Sequence, residues 1–145
     1  MTNYLQIDWL PDDDWNDEIH VGIVSNGFAA KSGAYYAHRR LLADFGTALD
    51  RYPIGADNAP ELFIGYGRQV EGEKEAIFDI PEVRIRIEPL GRTGRLLVVA
   101  LVKDQQIEGQ SAELRMETNY SALHSFREEL RAAEGPPMHR AARLE

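Results

Sequence analysis

The sequence predicts an α+β fold: a mainly antiparallel sheet of about six to seven strands with two amphipathic helices packed on one face, in the order βββα-(β)βββα. Three observations predict it. Several short stretches alternate apolar and polar residues, the period of a half-buried strand. Two others repeat apolar residues every three to four positions, the period of a helix with one buried stripe. Turn-forming residues separate the strands at short intervals, which favours hairpins over long parallel crossovers.

Taken in order, Tyr4 to Leu10 places Leu5, Ile7 and Trp9 on one side and Tyr4, Gln6 and Asp8 on the other. Pro11 and three aspartates break this strand. From Glu18 to Ser25 the alternation resumes, with Ile19, Val21 and Ile23 inward and Glu18, His20 and Gly22 outward. Asn26-Gly27 suits the positive φ values of a two-residue hairpin turn, so Phe28 to Tyr36 reads as the returning strand. Leu41, Leu42, Phe45, Ala48, Leu49 and Tyr52 then mark an amphipathic helix that Pro53 ends.

Residues 54–76 are rich in Gly, Pro, Asp and Glu and predict a long mobile connection, with Leu62 to Tyr66 as a short edge strand. Val83, Ile85 and Ile87 alternate with Arg84, Arg86 and Glu88, and Gly91-Arg92-Thr93-Gly94 supplies a turn. Leu96 to Val102 is apolar throughout, as expected for a central strand with neighbours on both edges and cover on much of both faces. Ser111 to Thr118 turns Ala112, Leu114 and Met116 inward. Thr118, Asn119 or Ser121 can cap the last helix, whose stripe is Leu123, Phe126 and Leu130. That stripe repeats the Leu42, Phe45, Leu49 spacing 81 residues on, which fits an internal duplication and equally fits any two helices lying on a sheet.

The length of 145 residues suits one domain, which we place at residues 1–137. Residues 138–145 are polar and basic and read as a flexible tail, and Leu144-Glu145 has the form of a scar left by joining a purification tag. With 43% hydrophobic and 28% charged residues the chain has an ordinary globular balance. It contains no cysteine, which excludes disulfides, thiolate metal sites and cysteine nucleophiles. The N-terminus carries no basic stretch leading into an apolar run, and no segment approaches the roughly 18 apolar residues of a membrane span. A cytoplasmic protein without a membrane association is the expectation.

The net charge is −8, and Asp8, Asp12, Asp13, Asp14, Asp17 and Glu18 lie close together with no basic residue among them. Such a segment repels phosphate backbones. Arg39, Arg40, Arg84 and Arg86 make too thin a basic set for a nucleic-acid partner, whereas a basic protein is electrostatically suited. The segment Asp12, Asp13, Asp14, Trp15, Asp17 and Glu18 is therefore the candidate partner-binding site, with the open polar face of the sheet as the other surface a partner could use. It lacks the central glycine and terminal glutamate of a calcium loop.

No catalytic set, cofactor site or metal site is expected. His20, His38, His124 and His139 are scattered without metal-ligand spacing. Gly65-Tyr66-Gly67 and Gly91-Arg92-Thr93-Gly94 do not open a helix after a strand in the phosphate-binding manner, and there is no Gly-x-Ser-x-Gly elbow. The alternative to a binding protein is a small-ligand protein or enzyme, with a pocket beside residues 54–76 lined by Tyr35, Tyr52, Phe63 and Tyr66.

Ser25-Asn26-Gly27-Phe28, the strand to Ala34-Tyr35-Tyr36, and Leu42-x-x-Phe45-x-x-x-Leu49-x-x-Tyr52-Pro53 resemble a pattern in small bacterial proteins classed as domains of unknown function. The resemblance covers the first third to half of the chain. Some small acidic α+β proteins of this kind neighbour toxin genes as immunity proteins. The resemblance thus implies a partner-binding role and transfers no catalytic residue.

Overall fold

The structure, a computed structural model, describes the backbone of residues 2–145 except Gln69 and Gln105, and the side chains of these except residues 66–68 and 77–80. Among the described residues, nine strands form two antiparallel sheets joined by two α-helices, an α+β arrangement.

The first sheet begins as expected. Strand β1 (Tyr4–Pro11) pairs antiparallel with β2 (Asn16–Ser25), and Leu5, Ile7, Trp9, Ile19, Val21 and Ile23 point into the core. The returning strand is broken into β3 (Phe28–Lys31) and β4 (Tyr35–His38), which pair with opposite halves of β2. Ser32 makes the break. Its backbone N–H donates to Val21 O (2.7 Å), and its Oγ accepts from Val21 N–H (2.7 Å), so backbone pairing gives way to side-chain pairing at that point. Helix α1 (Arg40–Ala48) follows. It ends before Tyr52, which is 80% exposed.

The second sheet is a meander of β5 (Glu61–Arg68), β6 (Ile77–Leu90), β7 (Arg95–Lys103) and β8 (Ser111–Asn119). The turn between β6 and β7 uses Gly91 and Gly94 at φ 69° and 78°, where a Cβ would be strained. Helix α2 (Tyr120–Leu130) starts at Asn119, whose side-chain oxygen accepts from Ala122 N–H (2.8 Å). A 3₁₀ turn, Arg131–Glu134, leads to β9 (Arg140–Leu144).

Several expectations need correction. The single sheet is two, because alternation shows which residues face inward but not which sheet they serve. Their inner faces and both helix stripes share one core, and the sheets are tied directly where Ser25 Oγ donates to Arg115 O (2.6 Å). The helices therefore do not lie together on one face of a single sheet. Instead α1 packs beside β5, α2 packs on β9, and the two touch each other.

Within the expected tail at 138–145, Arg140–Leu144 form strand β9 on the free edge of β1, with Ala142 and Leu144 buried. Only two inward apolar residues carry it, too few to show as a period. In the connection at 54–76 the expected edge strand is present and longer than Leu62 to Tyr66, since β5 spans eight residues at the edge of the second sheet, and Ile54 is not free but buried with its N–H on Tyr120 Oη (2.9 Å). Finally, β7 has neighbours on both edges, as expected, but only its inner face is fully covered. Leu96, Val98, Ala100 and Val102 are buried, while Leu97, Val99 and Leu101 on the outer face are half-exposed.

The helix–helix packing has its own chemistry. Gly46 of α1 meets Arg127 of α2 so closely that a Cβ would stand 3.0 Å from Arg127 Nη1. Arg127 is buried and is compensated by Asp50 (3.3 Å) and Glu134 (3.5 Å). No helix among the described residues is long and apolar enough to cross a membrane.

Candidate functional site

The acidic turn between β1 and β2 is a built structure. Asp13 folds it: its Oδ1 accepts from the N–H groups of Trp15 (2.8 Å) and Asn16 (2.7 Å), and its Oδ2 accepts from Asn16 Nδ2 (3.2 Å). These bonds, the Trp15 N–H foremost, hold the Asp13 carboxyl below its ordinary value of 3.8. Asp12 N–H and Asp13 N–H both donate to Asn16 O (3.1 and 3.3 Å), closing the loop.

Arg39 fastens the turn to β4. Its backbone N–H donates to Trp15 O (2.8 Å), its Nη2 to Asp13 O (2.8 Å) and its Nη1 to Asp14 O (3.3 Å). Its Nε donates to Asp17 Oδ1 (3.1 Å), and Asp17 is only 3% exposed. A carboxylate buried to that degree persists because a guanidinium faces it.

The six candidate residues therefore separate into three groups. Asp13 and Asp17 are consumed by the turn itself. Glu18 is engaged on the sheet surface, accepting from Tyr36 Oη (3.2 Å) and lying 3.5 Å from His20 Nε2. The carboxylates of Asp12 and Asp14 point to solvent with no hydrogen-bond partner among the described residues, and Trp15 beside Asp14 is 69% exposed. Tyr36, 58% exposed, lies one outward step along β4 from His38, the partner of Asn16 in register. Sequence reading put Tyr36 on the strand that returns along β2 but gave neither it nor Arg39 a role, because the break at Ser32 sets where β4 meets β2. The doublet Arg39-Arg40, following a strand and facing an acidic run, was the available signal.

The alternative pocket residues do not converge. Tyr35 is buried in the core, with its Oη donating to Lys103 O. Tyr52 packs edge-on against Tyr120, its ring centroid 5.1 Å away. Phe63 lines a cleft between β4 and β5 with Tyr36 and Leu41. The side chain of Tyr66 lies outside the described residues.

The arginines weighed as a basic face are also dispersed. Arg39 serves the turn, while Arg84 and Arg86 sit on the second sheet against Glu61 (3.2 and 3.5 Å), with Arg86 also on Glu88 (2.9 Å). Among the described residues no group of three or more His, Asp or Glu side chains is placed to hold a metal ion. No family model matches the chain, and neither a curated protein nor a solved structure matches it significantly.

Proposed function

We propose that the protein is a non-enzymatic binding module that docks a basic protein partner through the β1–β2 turn, in the manner of an immunity protein. One observation carries the reading: Asp12, Asp14 and Trp15 stand outward on a turn that Asp13 and Arg39 hold rigid from behind. A preorganised loop loses little entropy on binding. An exposed tryptophan beside carboxylates combines an anchor of the kind enriched at binding hot spots with charges that steer a cationic surface. The net charge of −8 acts in the same direction at longer range.

The test is capture from lysate of the source cell at low and high salt, comparing the wild type with an Asp12→Asn, Asp14→Asn, Trp15→Ala variant. Asp13 and Asp17 stay untouched because their loss would unfold the turn. The expected outcome is stoichiometric retention of a basic protein by the wild type, released by salt. Its affinity for the purified variant should be lower by about 30-fold or more, a hot-spot-sized loss. Equal capture by both proteins, or no specific capture by either, overturns the reading.

A further inference from the structure

On the outer face of the first sheet, Gly22 occupies the middle of β2, directly between Gln6 of β1 and Lys31 of β3. A glycine inside a strand costs stability and leaves nothing to pack. The backbone does not require it, since its φ lies outside the positive range. Nor do its surroundings: an added Cβ would meet only Ala30 O, at 3.9 Å, an ordinary separation. What the missing side chain does is leave an open groove of about 330 Å³, with Gly22 as its floor.

The walls of this groove are chemically divided. Tyr4, Val24 and Ala29 make an apolar end. Lys31 stands on one side of Gly22 and Arg143, from β9, on the other, beyond Gln6 in the same register row. Among the described residues neither cation has a carboxylate within 4 Å. Arg143 is held in place rather than neutralised. Its guanidinium stacks on Tyr4 at 3.9 Å, and its Nε and Nη2 both donate to Gln6 Oε1 (2.8 and 2.6 Å). Asp8 and His20 also line the groove, one row from Gly22, and the other end of the Gln6 amide occupies the Asp8 carboxylate by donating to its Oδ2 (3.0 Å).

We propose that this groove binds a small monocarboxylate with an apolar body, its carboxylate between Arg143 and Lys31 over Gly22 and its apolar part against Tyr4, Val24 and Ala29. The size suits a ligand of this class. The glycine is then a binding residue, kept at a cost in strand stability.

Phenylacetate is the probe, followed by amide chemical shifts of the intact protein, with 2-phenylethylamine as the cationic counterpart. Phenylacetate should give saturable shifts at Gly22, Val24 and Lys31, and the amine should not. Gly22→Val should abolish those shifts while raising the melting temperature by roughly 2–4 °C, because a β-branched residue suits a strand. Lys31→Gln and Arg143→Gln should each weaken binding about 5-fold or more, the loss of one charge-assisted hydrogen bond. The variant with Asp12→Asn, Asp14→Asn and Trp15→Ala should bind phenylacetate unchanged, which separates this groove from the acidic turn. Absence of saturable shifts, equal binding of the amine, unchanged binding by Gly22→Val, or a lower melting temperature in that variant would each overturn the proposal.

Discussion

The two sheets have the same inner chemistry and opposite outer faces. On the second sheet the polar side chains largely satisfy one another around the aliphatic ridge of Leu97, Val99 and Leu101: Arg84 and Arg86 meet Glu61 and Glu88, Arg95 meets Glu117, and Arg115 meets Glu113. On the first sheet Lys31 and Arg143 have no carboxylate within 4 Å among the described residues, a glycine leaves a hole between them, and an acidic turn ends the face with two aspartates that make no ion pair among those residues. A face whose charges are already paired offers little to a visitor, because an incoming group must displace a partner that is already in place. Both proposed sites therefore fall on the first sheet. The sheets also differ in assembly. The second is a local meander, whereas the first is completed by β9, which pairs residues some 130 positions apart in the chain.

The largest expected effect breaks that second difference. Leu144 is fully buried at the far end of β9, so Leu144→Asp places a charge in the core and strips the edge from β1. We expect a loss of roughly 4 kcal/mol or more in urea unfolding. Leu97→Thr, on the outer ridge of the second sheet, should stay within about 1 kcal/mol. Comparable losses would mean that the two sheets are not unequal in this way.

A smaller effect tests the tie between the sheets. Tyr35 of β4 donates its hydroxyl to Lys103 O at the end of β7, and burial, with Glu82 and Asp104 nearby, pushes its pKa from 10.0 up to about 12. A phenol whose folded value is raised contributes stability that is present below pH 10 and is lost as pH rises toward 12. Tyr35→Phe should cost about 1–2 kcal/mol at neutral pH by leaving the carbonyl unpaired, and should flatten the decline in stability between pH 10 and 12. Parallel declines in the two proteins would show that Tyr35 does not titrate against folding.

Much of this comparison was readable from period and spacing. The inward sets of β1, β2, β6 and β8 follow their alternation, Asn119 is among the residues expected to cap α2, and Leu42, Phe45 and Leu49 and Leu123, Phe126 and Leu130 are buried as expected, while Tyr52 lies past the end of α1 and is exposed. What stayed hidden is partner choice across long separations. Nothing local in Arg140-Ala141-Ala142-Arg143-Leu144 announces a strand, since its meaning comes from β1. For the same reason Arg143 could not be placed beside Gly22, whereas Lys31 opposite Gly22 follows from the two-residue hairpin at Asn26-Gly27. In the acidic turn the six candidates were legible as a group. Their division into Asp13 and Asp17, which build the turn, and Asp12, Asp14 and Trp15, which face outward, depended on Arg39 arriving from a neighbouring strand.

The smallest expected effect addresses the paired face directly. Glu61 joins Arg84 (3.2 Å) and Arg86 (3.5 Å) on the surface of the second sheet. In Glu61→Gln, Arg86 keeps Glu88 while Arg84 loses its carboxylate. All of these groups are partly exposed, so water and salt already weaken the attraction, and the cost should be about 0.2–1 kcal/mol. It should shrink further in 1 M salt, where the screening length is only about 3 Å. The variant should also leave phenylacetate binding at the Gly22 groove unchanged. A loss well above 1 kcal/mol that persists in high salt would mean that the ion pairs hold the second sheet together rather than merely neutralise its surface. The contrast between a paired, inert face and an unpaired, receptive one would then need another cause.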